Sequence, residues 1–528
     1  MQSYSKKVFL LIIVFLVLRI VTGSVLELGN DESYYWLYSK HLQWNYFDHP
    51  PMIAVWLRIF TLNGLLFDYE IFLRLGSVVS CACSTWFVYK AVAEIKSERA
   101  GWFAACIFNT SLYAGMVAGV LIMPDSPQLF FWTFCLWQIA KLMTNEDSWA
   151  TWLLFGITAG LCSMSKIHGG FIWIGVALNV ICRHRAWLRN PKLYVALLVS
   201  LVIISPVLFW NFQYDFVTWK FHSARIVPLE SPSGVRGNFF TVFIEQIFIT
   251  NPFVFFLILP LISTLWKRNK LQPALVVYNF IALPLIFSLF IISIFREVWY
   301  HWSGPAYVSL IPYAAIRLAE HNPKKDFPRL IKYATAFFLF ILIAWPVTIH
   351  FFPGTYGSHK KEELGNGDIT LDKLGWKKSG EHFAGIYKNE FAVNNAPIIC
   401  SSWWGAHIEY YFARPADAGV IGIGDVYKLH QYGWLNAGRL SFLNMDTAYC
   451  ILPSLEAAKI DTTYEKFYTK SELVETIPVY RQQKNVSNFY VYRLTGWTGR
   501  QPLVMRPSTK AISFLWVNPL LSIKDILW

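Results

Sequence analysis

The sequence predicts a mainly α protein: a polytopic bundle of about eleven transmembrane helices, followed by a small extracytoplasmic α/β domain. Of its 528 residues, 55% are hydrophobic and only 15% are charged. A soluble protein carries roughly 25% charged residues, so this deficit and the long apolar runs indicate a membrane protein. After residue 352, glycine, asparagine and charged residues become more frequent. We therefore expect a transmembrane domain at 1–352 and a second domain at 353–528.

Apolar stretches of helical length recur through the transmembrane domain. The first, 8–21, follows two lysines and lacks a good cleavage site, which favours an uncleaved span over a signal peptide. The candidate spans are about 8–23, 70–92, 100–121, 127–143, 150–165, 169–182, 193–210, 252–266, 273–295, 303–319 and 330–350.

Basic residues concentrate in every second connection between these spans. They are Lys90, Lys96, Arg99, Lys141, Arg183, Arg185, Arg189, Lys192, Lys267, Arg268, Lys270, Arg317, Lys324, Lys325 and Arg329. Cytoplasmic loops carry the excess of Lys and Arg in membrane proteins. The pattern predicts a cytoplasmic N-terminus, an extracytoplasmic C-terminal domain and a place in the cytoplasmic (inner) membrane. It also accounts for the net charge of +13 without nucleic acid as a partner.

The C-terminal domain has short runs that are typical of β-strands, at 397–401, 448–452, 473–479 and 489–494. A helical pattern lies at 404–412. The tail at 511–528 is apolar again, but it contains Pro519 and is short for a span. We expect a mixed α/β fold, with the role of the tail left open.

The polar segments between the spans converge on one side of the predicted topology. They are the stretch 29–51, Pro124-Asp125, Lys166-Ile167-His168, 210–236 and 296–301. Unrelated polar residues would fall on both faces, so this convergence predicts a single outward-facing site.

The stretch 29–51 is the most informative of these segments. Asn30 can cap a helix that begins at Asp31, and Tyr34, Tyr35 and Tyr38 then share a face with that acid. A second helix after Pro51 would lie with the first in the membrane interface. A carboxylate among tyrosines suits work on a sugar hydroxyl, because it can take the proton of the attacking group. The alternative is an aromatic belt with exposed acids at a helix start.

The motifs Asp31-Glu32-x-x-Tyr35 and Trp44-x-Tyr46-Phe47-Asp48-His49-Pro50-Pro51 resemble the first outer loop of a glycosyltransferase group. This group comprises the bacterial polytopic relatives of the dolichyl-phosphate-mannose protein mannosyltransferases, among them the lipid A aminoarabinose transferases, within the C-type glycosyltransferase superfamily. The resemblance covers about residues 1–350. Weaker matches are Pro124-Asp125-x-Pro127, Ser165-Lys166, Trp210-Asn211 and His301-Trp302-x-x-Pro305-Ala306-Tyr307.

The resemblance implies a sugar donor linked to a polyprenyl phosphate and an acceptor hydroxyl on lipid A, a surface glycan or a protein. It makes Asp31 the catalytic base and places the carboxylate of Asp125 near the reaction centre. Glu32, Tyr35 and Asp48 are then expected to bind substrate. The alternatives are a helix cap for Asp125 and a favourable charge at the helix start for Glu32.

One departure from the family concerns the cation that holds the donor phosphate. The aminoarabinose transferases carry Glu-Lys where this chain has Asp48-His49. We expect His49 to bind substrate, but it supplies a positive charge only if its pKa is raised. Lys166 is the strongest replacement, and the others are His301, Arg225 and Arg296. Lys166 could instead extend to lipid headgroups, and His301 could be an interfacial anchor.

No cofactor is required by this chemistry. The acids and the histidine could hold a divalent metal ion, but no ligand spacing demands one. The alternative function is a transporter or flippase that binds lipid-linked sugars without chemistry. Transporters often consist of two similar halves, and no such halves are evident in the sequence.

Overall fold

The structure is a computed structural model that describes residues 4–144, 147–226, 237–259, 272–322, 326–391, 396–440, 445–455 and 460–508. Five predicted features lie wholly or partly outside these residues. They are the basic connection at 267–270, the lysines Lys324 and Lys325, part of the candidate span at 252–266, part of the polar segment at 210–236, and the apolar tail at 511–528.

Helices dominate the first part of the chain, as predicted. They are α1 (Tyr4–Ser24), α2 (Asn30–Lys40), α3 (Met52–Phe60), α4 (Glu70–Ile95), α5 (Glu98–Thr110), α6 (Asp125–Met143), α7 (Trp149–Ser165), α8 (Phe171–Cys182), α9 (Pro191–Gln213), α10 (Val217–Ile226), α11 (Phe239–Thr250), α12 (Pro252–Ile258), α13 (Pro273–Phe295), α14 (Gly304–His321) and α15 (Arg329–Phe351). Several begin at a capping side chain. Ser97, Ser148 and Asn190 each accept a backbone N–H from the first turn of the helix that follows.

Five of the described helices, α1, α4, α9, α13 and α15, are long and apolar enough to cross a membrane. Helices α11 and α12 are bent by 104° around Asn251 and make a sixth if they form one broken span. Helices α7 and α8 are apolar but shorter. These helices fit a multi-pass membrane protein, while the number of about eleven spans stays a prediction.

The candidate span at 100–121 is not one continuous α-helix. Helix α5 ends at Thr110, and a π-helical turn follows at Tyr113–Val117. Arg19 of α1 stabilises this break, because its buried guanidinium donates to the backbone oxygen of Gly115 and to Oδ1 of Asn109. Hydropathy cannot detect such a break, since the residues remain apolar throughout. The π-helical turn brings the hydroxyl of Tyr113 to the carboxylate of Asp125.

The C-terminal part contains a five-stranded sheet in the order β2-β1-β3-β5-β4. The strands are β1 (Ile398–Cys400), β2 (Val420–Gly422), β3 (Thr447–Pro453), β4 (Tyr468–Arg481) and β5 (Lys484–Trp497). Strand β1 is parallel to β2 and β3, whereas β5 is antiparallel to β3 and β4. All four predicted β-runs are confirmed. Strand β2 was not predicted, because glycines interrupt its short apolar run, Gly419-Val420-Ile421-Gly422.

Short helices surround this sheet. They are α16 (Trp376–Ile386), α17 (Gly405–Ile408), α18 (Arg414–Ala416), α19 (Val426–Leu429), α20 (Tyr432–Arg439) and α21 (Thr462–Glu465), with a 3₁₀-helix at Ile369–Lys373 and a π-helical turn at Glu409–Ala413. The helical pattern predicted at 404–412 corresponds to α17 and this π-helical turn. One buried hydrophobic cluster runs from the transmembrane helices into the sheet. Where α2 meets the C-terminal part, the rings of Trp36 and Tyr410 pack 4.9 Å apart. The division at residue 352 stays a prediction.

Candidate active site

Helix α2 begins one residue earlier than expected, at Asn30, and Gly29 occupies the N-cap position. No side chain caps the helix from that position, because glycine has none. Instead, the side chain of Glu32 turns back, and its Oε2 accepts the N–H of Gly29 at 2.9 Å. This arrangement places Asp31 and Glu32 in the first turn, where the helix dipole favours negative charge.

Glu32 is the centre of a buried ion-pair network. Its carboxylate accepts two hydrogen bonds of 2.8 Å from the guanidinium of Arg74 on α4. It also pairs with Lys373 of the C-terminal part and accepts the N–H of Ile122. Burial opposes ionisation, but Arg74 and Lys373 outweigh it and hold the pKa of Glu32 well below its usual range. Glu32 is 1% exposed, so these contacts favour a positioning role over direct contact with substrate.

Asp31, by contrast, is exposed to water even though protein surrounds it closely. This combination indicates that the side chain lines a water-accessible recess. The surrounding protein and the negative charges of Asp372, Asp48 and Glu32 raise the pKa of Asp31 to about 7, against the opposing charge of Lys373. A carboxylate with this pKa can both accept and release a proton near neutral pH.

The three tyrosines of α2 are buried, unlike the members of a lipid-facing aromatic belt. The hydroxyl of Tyr38 donates a short hydrogen bond to Oδ1 of Asp48, and the hydroxyl of Tyr34 lies 3.4 Å from the same atom. The ring of Tyr35 packs edge-on against His49 at 5.8 Å. The tyrosines therefore connect α2 to the Asp48-His49 pair, whereas the shared helix face had predicted only their proximity to Asp31.

Asp48 and His49 lie in the same network but have different charges. Burial opposes ionisation of Asp48, but the positive charges that His49 and His430 carry when protonated, together with the hydrogen bond from the Tyr38 hydroxyl, keep its pKa below the usual range. Burial lowers the pKa of His49 to about 4, and the charge of Lys166 adds to this effect. His49 is therefore neutral near pH 7 and does not supply a positive charge in this state.

Lys166 and Asp125 form a buried ion pair. The ammonium of Lys166, at the end of α7, lies 2.8 Å from Oδ2 of Asp125 at the start of α6. The hydroxyl of Tyr113 donates to the other carboxylate oxygen of Asp125 at 3.1 Å. The Asp125 side chain makes no helix-capping bond, and the Lys166 side chain is only 4% exposed. The contacts of this pair thus differ from the helix cap and the headgroup anchor considered above.

His301 lies beside this ion pair and interacts electrostatically with Lys166, Asp125 and His49. Burial and the charge of Lys166 lower the pKa of His301 to about 3, so it too is neutral near pH 7. The structure does not describe the side chain of Arg225. Among the described residues, no group of three or more His, Cys, Asp or Glu side chains could hold a metal ion.

Several residues of the site could not be found from the sequence. Asp372 and Lys373 reach α2 from the C-terminal part, and His430 stacks against the rings of Phe47 and Trp403. No motif or periodicity marks them. Arg74 did carry a signal, because a charged residue inside an apolar helix usually pairs within the bundle.

Fold and site together define a multi-pass membrane protein whose exposed Asp31 carboxylate lies beside buried tyrosines, where α2 meets the C-terminal part. Residues 48–210 match the family model of dolichyl-phosphate-mannose-protein mannosyltransferases. The chain is 27% identical, over 284 residues, to the lipid A galacturonosyltransferase RgtD of Rhizobium johnstonii. That alignment covers 53% of this chain and 58% of the relative.

Two solved structures of ArnT from Cupriavidus metallidurans have the same overall fold, each with a TM-score of 0.63. The structure bound to undecaprenyl phosphate is 14% identical and is matched over 94% of this chain and 100% of its own. The apo structure is 13% identical and is matched over 93% and 99%, respectively. These matches confirm the resemblance to the polytopic glycosyltransferase group that was predicted from the first outer loop.

Proposed function

We propose that this chain is an integral-membrane glycosyltransferase that moves a sugar from a polyprenyl-phosphate donor to an acceptor hydroxyl. The transfer would take place on the outer side of the cytoplasmic membrane, with the N-terminus inside. The observation that carries this proposal is the water-accessible carboxylate of Asp31, whose pKa is raised to about 7, in the same site as the buried Lys166–Asp125 pair.

In the proposed reaction, Asp31 takes the proton of the acceptor hydroxyl while the oxygen of that hydroxyl attacks the anomeric carbon. The bond between the anomeric carbon and the phosphate oxygen breaks, and polyprenyl phosphate leaves. General-base help of this kind is typically worth about 10²–10⁴ in rate. The transfer reaction written in this way needs neither a nucleotide nor a metal ion.

Lys166 is the proposed partner of the leaving phosphate. An ammonium has three N–H donors, and among the described contacts Lys166 uses one of them for Asp125. The remaining donors are available to phosphate oxygens. His49 and His301 would then contribute as neutral hydrogen-bond donors, because burial keeps their pKa values at about 4 and about 3.

The proposed acceptor class is lipid A, which the similarity to RgtD supports. The direct experiment incubates the purified chain with lipid A and a polyprenyl-phosphate donor that carries a labelled galacturonosyl or aminopentosyl group. We expect labelled lipid A and an equal amount of released polyprenyl phosphate, detected by mass spectrometry, and no transfer when lipid A is omitted. Movement of intact donor across vesicles without cleavage would instead support the flippase alternative.

A further inference from the structure

The 3₁₀-helix at Ile369–Lys373 contacts the first turn of α2 through two side chains of opposite charge. Oδ1 of Asp372 accepts the N–H of Asn30 at 3.0 Å. The ammonium of the next residue, Lys373, pairs with the carboxylate of Glu32. One carboxylate and one ammonium therefore hold the residues on either side of Asp31.

Gly29 is the position where these side chains approach the backbone most closely. A Cβ atom at Gly29 would lie 2.3 Å from Oδ2 of Asp372 and 2.4 Å from Nζ of Lys373. Cβ atoms essentially never come within 3.0 Å of a heavy atom outside their own residue and its two chain neighbours. The ends of both side chains therefore lie directly against the backbone of this turn.

The chain just before α2 is held by the same C-terminal part. The N–H of Leu28 donates to the hydroxyl of Tyr411, and the backbone oxygen of Leu28 contacts Nε2 of His407 at 2.9 Å. The carboxylate of Glu27 accepts the N–H of Trp376 at 2.8 Å. Residues 27–30 are therefore fixed on several sides by a region more than 300 residues later in the chain.

We infer that Asp372 and Lys373 are positioning residues for the transfer step, which hold Asp31 in place and set its basicity through opposite charges. The inference rests on the proposed function, in which Asp31 is the base. It extends the site to a part of the chain that the matched family segment at 48–210 does not include.

The groups that face Asp31 come from several elements. They are Asp372 and Lys373 from the 3₁₀-helix, Asp48 from the loop before α3, Glu32 and Tyr35 from α2 itself, and Tyr300 from the loop before α14. The negative charge of Asp372 raises the pKa of Asp31, and the positive charge of Lys373 lowers it. Removing these two charges must therefore change the basicity of Asp31 in opposite directions.

The test is the pH dependence of transfer in Asp372→Asn and Lys373→Gln, measured on the full chain. Asn keeps an oxygen that can accept the Asn30 N–H but removes the charge. We expect the acidic limb of kcat/KM to move down by about one pH unit in Asp372→Asn and up by a similar amount in Lys373→Gln. On that limb, one unit corresponds to about a tenfold change in rate.

Controls on exposed residues of α16 are Glu381→Gln and Lys378→Gln, which should leave the acidic limb unchanged. If Lys373→Gln folds poorly, Lys373→Arg is measured as well. It conserves the positive charge, so its acidic limb should lie at the same pH as that of the wild type. If Asp372 and Lys373 were purely structural, both variants would have lower rates, but their acidic limbs would not move in opposite directions. Limbs that both move the same way, or that both stay in place, would overturn the inference.

A second readout separates this inference from the proposed function. Titration of the Asp31 carboxyl by ¹³C NMR, assigned with Asp31→Asn, needs no turnover. If the wild-type chain transfers no sugar at any pH, the proposed function fails. The positioning role is still supported if the midpoint of the Asp31 titration moves in opposite directions in Asp372→Asn and Lys373→Gln. If transfer is observed and the Asp31 titration is the same in all variants, only the inference fails.

Discussion

Replacement of Glu32 by Gln tests whether the buried network holds the site together. Arg74 is fully buried, and its guanidinium donates to both carboxylate oxygens of Glu32. Breaking a buried ion pair from one side typically costs about 3–5 kcal/mol. Arg74 keeps its bonds to the backbone oxygens of Gly23, Leu26 and Glu27, and glutamine can still hydrogen-bond. We therefore expect Glu32→Gln to lower the free energy of unfolding by about 3 kcal/mol, near the lower end of this range.

The assay is the free energy of unfolding in mixed micelles, measured by titration with a denaturing detergent. The matched control is Glu320→Gln, which removes the exposed Lys96–Glu320 pair and should cost less than about 1 kcal/mol. Because the folded-state pKa of Glu32 is depressed, its contribution is complete above the ordinary glutamate pKa of 4.5 and is lost as the pH falls below it. A Glu32→Gln loss no greater than that of the control at pH 7 would refute the network argument.

Two further predictions concern the donor phosphate and the topology. Lys166→Met should weaken binding of polyprenyl phosphate by about tenfold or more, because a charge-assisted hydrogen bond to the phosphate is lost. The control Lys96→Met, at the end of the bundle away from the candidate site, should leave this binding unchanged. Unchanged affinity in a folded Lys166→Met protein would exclude Lys166 as the phosphate partner. Reporter fusions after Lys270 and after Gly357 should report the cytoplasm and the extracytoplasmic side, respectively, and the reverse pattern would contradict the proposed orientation.

Local features of the fold could be predicted from the sequence because they leave local signals. The apolar runs indicate α1, α4, α9, α13 and α15, and short β-prone runs mark β1 and β3. The π-helical turn at Tyr113–Val117 leaves no such signal, since it depends on Arg19 of another helix.

Some residues of the candidate site could be predicted from the sequence, and others could not. Asp31, Asp48 and His49 lie in one short segment whose residue pattern indicates chemistry. The partner of the Asn30 N–H is Asp372, which is 342 residues away in the sequence. Contacts between residues so far apart in the chain depend on the tertiary fold, and they cannot be predicted from a single sequence. The pKa of about 7 for Asp31 could not be foreseen either, because Asp372 is one of its causes.

The most direct test of the central claim is turnover of Asp31→Asn with a polyprenyl-phosphate sugar, measured beside donor binding on the same preparation. Asparagine keeps the size and hydrogen-bonding reach of the side chain but cannot take the proton. We predict that transfer falls by about 10²-fold or more, while donor affinity changes little. Near-normal turnover would remove Asp31 from the mechanism. An equal loss of donor binding would contradict a base and favour a residue that only holds the ligand.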